Sequence, residues 1–430
     1  MKKIINSLFN LGKTRTAKNT YTVFAGNSIA GFMGMVLIIL LSRFLGPAGF
    51  GVFSISFSFF TLLSKLADFG LNFAMVKDIS QARAKKEDKK IIRIFETVFT
   101  VKLIITVLTA LLGLLLVDWL SINLFKAPLT SGANRLVILF FAFFVFYDLV
   151  RVFFEANKRF LESTSIYIVS NLIKLLVVVF LFVFFSSFKE YIIIYLLGPF
   201  ISALIFFPRT KLRLRIKFHS QEFKTLKKFA SWMAVSVILA ALGENLNVFM
   251  VSAKLSTYQT GIYSAAEKFL LPFYLFAGAL GTVLVSRASE FLEFSHIKAF
   301  IKKVFVIQIL FLIICLILFP LTSFLPLLLG SQYSASVPIL KILVVAGFFR
   351  LAITPLNSVF YPLNKSFIFA LDSFVQVLTL FVLNQRWLVK FQAQGAALAL
   401  LVANILIFIF NYLYLFIQLK KHEKKAINLG

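Results

Sequence analysis

Long apolar runs separated by short polar stretches divide the chain almost from end to end. Residues 20–42 and 391–419 contain no charged residue, and similar runs recur between them. A helix needs about 20 apolar residues to cross about 30 Å of hydrocarbon. The runs are continuous rather than alternating, which favours helices over the strands of a barrel. The pattern predicts twelve spans, at residues 20–42, 51–76, 94–117, 135–155, 163–185, 191–207, 229–253, 262–285, 304–327, 338–361, 367–384 and 394–419.

The connections between the predicted spans are short. The longest runs over residues 208–228, so no loop is large enough to hold a soluble domain. Composition agrees with this, since 60% of the residues are apolar and 14% are charged, well outside the range of soluble proteins. Cys315 is the only cysteine, which excludes a disulfide-stapled fold. The first apolar run is too long for a cleavable signal peptide. We therefore expect an all-α integral membrane protein.

The positive charge is unevenly distributed about the predicted membrane. The chain has 45 basic and 17 acidic residues, a net charge of +28. With both termini in the cytoplasm, 32 of the basic residues fall in cytoplasmic segments, seven in outer loops and six within spans. Cytoplasmic loops of membrane proteins carry such an excess of Lys and Arg. The bias predicts a cytoplasmic (inner) membrane protein with both termini inside, and it argues against a nucleic-acid partner.

The two halves of the chain share an internal repeat. The segment 41–54 aligns with 251–264, where Ser42, Leu45, Gly51 and Ser54 meet identical residues 210 positions later. A second similarity, between 157–160 and 364–367, has an offset of 207 and falls in the equivalent loop. Six spans is an even number, so the repeat is parallel, with its pseudo-two-fold axis along the membrane normal. Such duplications are typical of secondary transporters, whose substrate site lies between the halves.

An ordered set of motifs resembles one transporter family. The first span ends in LSRFLGPAGFGVFS and the second in ADFGLNFAMVKDISQ, and later come GIYSAAEKF, LLLGSQYSASVPILKIL and QGAALALLVAN. Together they resemble the polysaccharide (O-antigen or oligosaccharide repeat-unit) flippases of the multidrug/oligosaccharidyl-lipid/polysaccharide exporter (MOP) superfamily. The resemblance implies two six-helix lobes, residues 1–216 and 217–430, around a central cavity. It also implies alternating access that moves a polyprenyl-pyrophosphate-linked oligosaccharide between leaflets, with polysaccharide polymerase or chain-length proteins as further partners.

The chain departs from two other branches of that superfamily. Lipid II flippases carry an Arg-Asp pair in the first span, where this chain offers only Asn27 and Ser28 as strongly polar residues. Drug exporters tend to place acidic residues in the first or seventh span, and Glu244 is the single acidic residue in either span here. The first departure argues against a peptidoglycan precursor as substrate. A multidrug or cation antiporter of the same superfamily stays the principal alternative.

Three basic residues within the spans are the candidates for binding the anionic head group. A charge in the bilayer costs several kcal/mol unless it faces water or a partner, so Lys65, Lys174 and Arg350 are functional candidates. Arginine binds phosphate through two parallel hydrogen bonds and lysine offers a point charge. Lys65 has a structural alternative, an ion pair with Asp68 one turn away. Neither Lys174 nor Arg350 has an acid within four residues of its own helix.

Four further charged residues are candidates for ion coupling or for a gate. Asp68 and Glu244 could exchange a proton or bind a cation, with an inter-helix hydrogen bond as the alternative for Glu244. Lys268 follows Glu267 near the outer end of the eighth span, as a gate pair or a solvated rim. Asp372 lies about one turn inside the eleventh span.

An enzyme is a less favoured interpretation of this sequence. A membrane-embedded glycan polymerase or ligase would need acid–base groups on a sizeable outer loop, and the outer loops hold only Asp118 and Glu190 as acids. The three His residues fall on cytoplasmic segments without metal-ligand spacing. No phosphate-binding glycine-rich loop is followed by Lys-Ser/Thr. We expect a transporter that needs no cofactor and whose partners are its lipid-linked substrate and the membrane lipids.

Overall fold

The computed structural model describes residues 15–184, 188–271, 273–274, 294–360 and 367–427. These residues form, in chain order, the helices α1 (Arg15–Asp68), α2 (Leu71–Ala84), α3 (Asp88–Trp119), α4 (Thr130–Ala156), α5 (Phe160–Phe184), α6 (Phe188–Phe206), α7 (Ser220–Lys254), α8 (Thr257–Lys268), α9 (Phe294–Leu321), α10 (Leu325–Leu329), α11 (Ser336–Ser358), α12 (Phe367–Phe391) and α13 (Ala393–Ile427). A π-helical turn, Leu120–Leu124, extends α3, and short 3-10 turns lie at Phe207–Thr210, Thr322–Phe324 and Ser331–Tyr333.

The prediction of an all-helical, multi-pass membrane protein is confirmed. Among the described residues, nine helical segments are long and apolar enough to cross a membrane. The first of them, Thr22–Asp68, contains both the first predicted span and much of the second. The sixth predicted span corresponds to a shorter apolar helix, Tyr195–Thr210. Residues 275–285 of the eighth predicted span, and residues 361–366 with the second repeat similarity, lie outside the described residues.

Helix α1 is broken where the sequence predicts the first outer loop. Gly46 has φ 63° and ψ 174°, outside the helical region, and Pro47 follows it. A positive φ is readily adopted by glycine because it has no Cβ. Proline lacks an N–H and fits the first turn of the helix that starts there. The Gly-Pro pair therefore ends one helical segment and starts the next.

A second break divides the second predicted span, which the sequence suggested was continuous. Phe69 and Gly70 have φ values of 45° and 73°, so α1 stops at Asp68 and α2 restarts at Leu71. A methyl group added at Gly70 would lie 2.6 Å from the carbonyl oxygen of Ala230 on α7. The apolar run hid this break because its cause is the close approach of another helix. The break separates Asp68 from Asn72, two polar residues of the candidate site.

The described helices pack into two compact units. The first comprises the described parts of Met1–Phe44, Ser56–Leu124 and Pro128–Ala241, and the second those of Leu45–Ile55, Phe125–Ala127 and Leu242–Gly430. In the first unit, α2, α3, α4 and the start of α7 share an apolar core that includes Ala74, Val98, Val152 and Leu226. In the second unit, α9, α11, α12 and α13 share another, including Val304, Leu356, Phe360, Ile368 and Leu415.

Two glycines that the internal repeat aligns lie against each other within the second unit. A methyl group added at Gly51 would overlap the carbonyl oxygen of Thr257, and one added at Gly261 would overlap that of Pro47. Each glycine thus meets the residue four positions before the other, so the contact is reciprocal. A reciprocal contact between equivalent positions is the hallmark of a two-fold relation. Only residues without a Cβ allow two helices to approach this closely.

Candidate functional site

Charged side chains cluster in the first unit where α1, α2 and α3 meet. Lys102 on α3 is 2% exposed, and its Nζ lies 2.8 Å from Oδ1 of Asp68 at the end of α1. The same ammonium donates to Oδ1 of Asn72 on α2 at 2.7 Å. The backbone N–H of Asn72 donates to Oδ1 of Asp68 at 3.2 Å. One lysine therefore joins the two sides of the break at Phe69–Gly70.

The cluster continues onto α4. The amide of Asn72 donates to Oδ2 of Asp148, whose other oxygen lies 3.0 Å from the guanidinium of Arg151. Arg151 also pairs with Glu155, which in turn accepts a hydrogen bond from Ser163 at 2.9 Å. We refer to Asp68, Asn72, Lys102, Asp148 and Arg151 as the charge-pair cluster. Each of its cations has a carboxylate partner, which offsets the cost of burying the charge.

Lys65 is exposed, and Asp68 pairs with Lys102 rather than with it. The spacing of Lys65 and Asp68 permitted a pair on one helix, but a lysine that precedes its acid is the weaker order for such a pair. The structure offers Asp68 a buried partner from the neighbouring helix instead. The positive charges of Lys65 and Lys102 both attract the carboxylate of Asp148. Lys65 thus lies beside the charge-pair cluster without being one of its buried members.

Lys174 is buried in the first unit, and none of the described carboxylates pairs with it. It lies on α5 with 6% of its surface exposed, and its Nζ lies 4.1 Å from the ring centroid of Tyr195 on α6. The Nζ also lies 3.4 Å from Oδ1 of Asn171, whose amide donates to the carbonyl of Ala30 on α1. An aromatic face attracts a cation more weakly than a carboxylate does.

A surface groove of about 530 Å³ lies between α1 and α5. Its lining is apolar except for one hydroxyl, and consists of Ser28, Ile29, Phe32, Met33, Val36 and Leu175. No charged group lines it. The groove therefore offers hydrocarbon contact and nothing that would bind a phosphate.

A second buried polar cluster lies in the second unit, where α11, α12 and α13 meet. Oδ2 of Asp372 accepts hydrogen bonds from the amides of Asn357 at 3.1 Å and Asn411 at 3.0 Å. The amide of Asn411 also lies 2.9 Å from Oδ1 of Asn357. Oδ1 of Asp372 and Oδ1 of Asn411 are buried, and neither has a hydrogen-bond partner among the described residues. We refer to these three residues as the amide–carboxylate cluster, which presents unused oxygen acceptors.

The other predicted site residues of the second unit lie near this cluster or on different helices. Arg350 is half-buried on α11. Its positive charge attracts the carboxylate of Asp372, although no hydrogen bond joins the two side chains. Glu244 is exposed on α7. The Nζ of Lys268, at the end of α8, lies 3.4 Å from the carboxylate of Glu267. In the first unit, no described hydrogen bond or ion pair joins Lys65 to Lys174.

The sequence analysis did not single out Lys102, Asn72, Asn357 and Asn411. Lys102 is one of the six basic residues within the predicted spans, and its position inside an apolar run was the available signal. The asparagines stand in apolar runs, where a polar side chain usually bonds to another helix. Their partners come from helices distant in sequence, so spacing could not identify them. Within the described residues, no group of three or more His, Cys, Asp or Glu side chains could hold a metal ion.

The sequence matches the model of a known protein family. The sequence model of the family described as "Polysaccharide biosynthesis protein" matches residues 16–292. A Shigella flexneri protein provisionally named an O-antigen transporter is 24% identical over 401 residues, which cover 90% of this chain and 95% of that protein. The resemblance to polysaccharide flippases in the sequence is thereby confirmed.

Solved structures share the fold. A multidrug resistance MATE family transporter of the MOP superfamily, in an inward-facing conformation, superposes with a TM-score of 0.78 at 12% identity, covering 92% of this chain and 96% of that one. The lipid II flippase MurJ, in an inward closed conformation, gives 0.72 at 14% identity, covering 91% and 87%. At these identities the likeness concerns the fold. The chain is therefore a multi-pass membrane protein, and it belongs to the polysaccharide biosynthesis protein family.

Proposed function

We propose that this protein moves an oligosaccharide linked to polyprenyl pyrophosphate from the inner to the outer leaflet of the cytoplasmic membrane, for assembly of a surface polysaccharide. The observation that carries the proposal is the match to the polysaccharide biosynthesis family, joined by a relative named for O-antigen transport that aligns with 90% of the chain. The substrate joins a long apolar tail to a doubly charged phosphate group and a polar glycan. A protein that moves it must shield the charged and polar parts from hydrocarbon.

The architecture that we propose has twelve spans in two six-helix lobes, residues 1–216 and 217–430, with both termini in the cytoplasm. The distribution of basic residues supports this orientation, with 32 on the inner side and seven on the outer side. The reciprocal contact of Gly51 and Gly261 supports a two-fold relation between the repeats. A parallel repeat of this kind suits alternating access, in which the halves rock about a site between them.

Lys174 and Arg350 are the residues that we propose for binding the pyrophosphate, with Lys65 as a third. Lys174 is supported by its surroundings, since among the described residues its buried charge is compensated by a ring and an amide and by no carboxylate. The Tyr195 ring covers it, so access to Lys174 requires that ring to move. Arg350 is half-buried and forms no direct bond with any described carboxylate, so its guanidinium could donate two parallel hydrogen bonds to a phosphate.

For coupling to an ion, we propose Asp372 rather than Asp68. Asp68 is paired with Lys102, so a cation or proton there would have to displace a buried lysine. Asp372 is held by neutral amides, and its other oxygen has no hydrogen-bond partner in the part of the chain that the structure describes. It can therefore gain or lose a proton or a monovalent cation without breaking an ion pair. The exposed Glu244 and the Lys268–Glu267 pair are candidates for a gate.

The test is complementation of a flippase-null strain, scored by the amount of surface polysaccharide. We expect the wild-type protein to restore export, and the double variant Lys174→Gln/Arg350→Gln to lower it at least about tenfold, since a charged hydrogen bond contributes about 1.5–3 kcal/mol. The matched control is Lys254→Gln/Lys341→Gln, which removes two positive charges from helices of the second unit. If wild type restores export and both double variants export equally, the head-group assignment is wrong.

The alternative function is antiport of cationic drugs, supported by the MATE fold. The same strains decide between the two functions. An antiporter would leave surface polysaccharide absent and would raise resistance to cationic compounds. A flippase with Lys174 and Arg350 in its path would restore the polysaccharide and leave resistance unchanged.

A further inference from the structure

The connection between α6 and α7 has an unusual sequence. Residues 211–218 read KLRLRIKF, in which a basic residue precedes each of four apolar ones. They form no helix or strand in the structure. We refer to residues 211–218 as the basic–apolar linker. Neither the fold nor the proposed transport reaction accounts for this alternation.

The linker is fixed in place although it lacks secondary structure. Leu212 packs against the apolar core of the first unit. The hydroxyl of Thr100 on α3 donates to the carbonyl of Lys217 at 3.0 Å. Directly after the linker, the N–H of His219 donates to Thr97 at 3.3 Å, and its ring lies 2.9 Å from the carboxylate of Glu96. The linker therefore lies along the start of α3.

Both kinds of side chain in the linker are exposed. Its four basic residues, Lys211, Arg213, Arg215 and Lys217, are exposed. Ile216 is 70% exposed and Phe218 53%, and Leu214 is also exposed. Apolar side chains outside a membrane span would normally be buried. Here they remain open beside a row of positive charges.

The position of the linker along α3 indicates that the membrane covers its exposed apolar residues. Thr100, which holds the linker, is followed after one turn by the exposed apolar residues Leu103 and Ile104, and further exposed apolar residues continue along the same helix. Those residues face hydrocarbon in a membrane-spanning helix. The linker thus lies where the lipid-facing surface begins, at the level of the phospholipid head groups.

From this placement we propose that the basic–apolar linker is a binding site for anionic phospholipids at the membrane interface. Leu214, Ile216 and Phe218 enter the upper acyl-chain region, and the neighbouring Arg and Lys side chains reach back to the phosphates. The charges of the linker and of an anionic leaflet are complementary, because none of the eight linker residues is acidic. Each basic residue near such a surface contributes about 1 kcal/mol.

The test uses a fluorescent reporter in the full-length chain. Trp119, Trp232 and Trp387, the three tryptophans, are replaced by Phe, and Phe218→Trp provides one new fluorophore. The protein is reconstituted in phosphatidylcholine vesicles with increasing fractions of phosphatidylglycerol brominated on its acyl chains. We expect quenching at a low fraction of phosphatidylglycerol, and much weaker quenching by the same fraction of brominated phosphatidylcholine.

Two sets of four substitutions separate the linker from general positive charge. Lys211→Gln, Arg213→Gln, Arg215→Gln and Lys217→Gln together should raise the half-quenching fraction of phosphatidylglycerol at least about tenfold. The matched control neutralises four other exposed basic residues, Arg83, Lys85, Lys86 and Lys89, which lie where α2 ends and α3 begins, and should change it less than about twofold. The variant Arg213→Lys/Arg215→Lys keeps all four positive charges of the linker and should bind phosphatidylglycerol as the wild type does. Its binding would show that the quadruple Gln variant loses affinity because the charges are missing.

Three outcomes would overturn the proposal. Equal quenching by the two brominated lipids would show contact without selectivity for anionic head groups. An equal loss in both sets of variants would assign the effect to net charge. Displacement by millimolar inorganic pyrophosphate, in place of competition by unlabelled phosphatidylglycerol, would show that the linker binds a soluble phosphate group or the head of the transported lipid.

Discussion

The charge-pair cluster and the amide–carboxylate cluster bury carboxylates in different ways. In the first, Asp68 lies 2.8 Å from the ammonium of Lys102, and both side chains are almost fully buried. In the second, Asp372 is held at 3.0–3.1 Å by the neutral amides of Asn411 and Asn357, and no described residue donates to its other oxygen. Each buried cation of the charge-pair cluster has a carboxylate partner, whereas Asp372 has an oxygen to which no described residue donates.

The difference separates a structural role from an adjustable one. Removing one member of a buried ion pair leaves an uncompensated charge, which is strongly destabilising. A carboxylate held by amides can change its protonation or bind a cation while the amides remain in place. We therefore expect the charge-pair cluster to fix α1, α2, α3 and α4, and the amide–carboxylate cluster to respond to ions.

The largest effect should come from Lys102→Met. This substitution leaves Asp68 buried without its cation, at an expected cost of about 3–5 kcal/mol in the free energy of unfolding. Titration with sodium dodecyl sulfate in mixed micelles measures that free energy. Lys65→Met is the matched control, because Lys65 is exposed, and it should change the value little.

The double variant Lys102→Met/Asp68→Leu sharpens the same comparison. Replacing both members of a buried pair by apolar residues is often neutral, so we expect it to recover most of the stability that Lys102→Met loses. A double variant as unstable as the single one would mean that the ion pair is not the source of the effect.

A smaller loss is expected from Asn411→Leu. It removes one of the two amides that donate to Asp372, and a hydrogen bond to a charged group contributes about 1.5–3 kcal/mol. Asn404→Leu on the same helix is the control, since Asn404 donates to the neutral carbonyl of Ala346 and should cost about 0.5–1.5 kcal/mol. Equal losses in the same detergent titration would argue that Asp372 is uncharged in the amide–carboxylate cluster.

A change that affects transport more than folding is expected from Asp372→Asn. The substituted amide keeps one oxygen that can accept from Asn357 and Asn411, so we expect a stability loss of at most about 1.5 kcal/mol. Surface polysaccharide in the complementation strain should nevertheless fall, because the residue no longer exchanges a proton or binds a cation. Normal export by this variant would refute the coupling role proposed for Asp372.

The smallest effect should come from Arg135→Gln, which provides an exposed reference pair. Arg135 and Asp118 form an ion pair at 2.5 Å with about half of each side chain exposed. Solvent screens such pairs, and many contribute nothing measurable. We expect its unfolding curve to superpose on that of the wild type. A loss as large as that of Lys102→Met would remove burial as the reason for the difference between pairs.

Much of the fold was predictable from the sequence because the bilayer imposes a simple rule. A run of about 20 apolar residues must be helical, since no water is available for its backbone groups. The predicted limits of the fourth and tenth spans, 135–155 and 338–361, therefore lie close to the helices Thr130–Ala156 and Ser336–Ser358. Hydropathy did not predict the break at Phe69–Gly70, because it contains no information about where another helix approaches.

The candidate site was predictable in its residues more than in its contacts. Asp68 and Asp372 stood out as acids within apolar spans, and both are buried in polar clusters. Their partners did not stand out, because Lys102 lies 34 positions from Asp68 and Asn411 lies 39 from Asp372. Spacing along one helix gives the neighbours on that helix and is silent about those on another.

The sequence by itself determined the class of structure, the family and the internal repeat, because hydropathy, the order of motifs and self-similarity can each be observed along the chain. The tertiary structure decided which carboxylate is paired and which is open, and it brought the repeated residues Gly51 and Gly261 into contact. The physical reason is that pairing and close approach depend on distances between helices. Those distances are set by packing, which no local pattern contains.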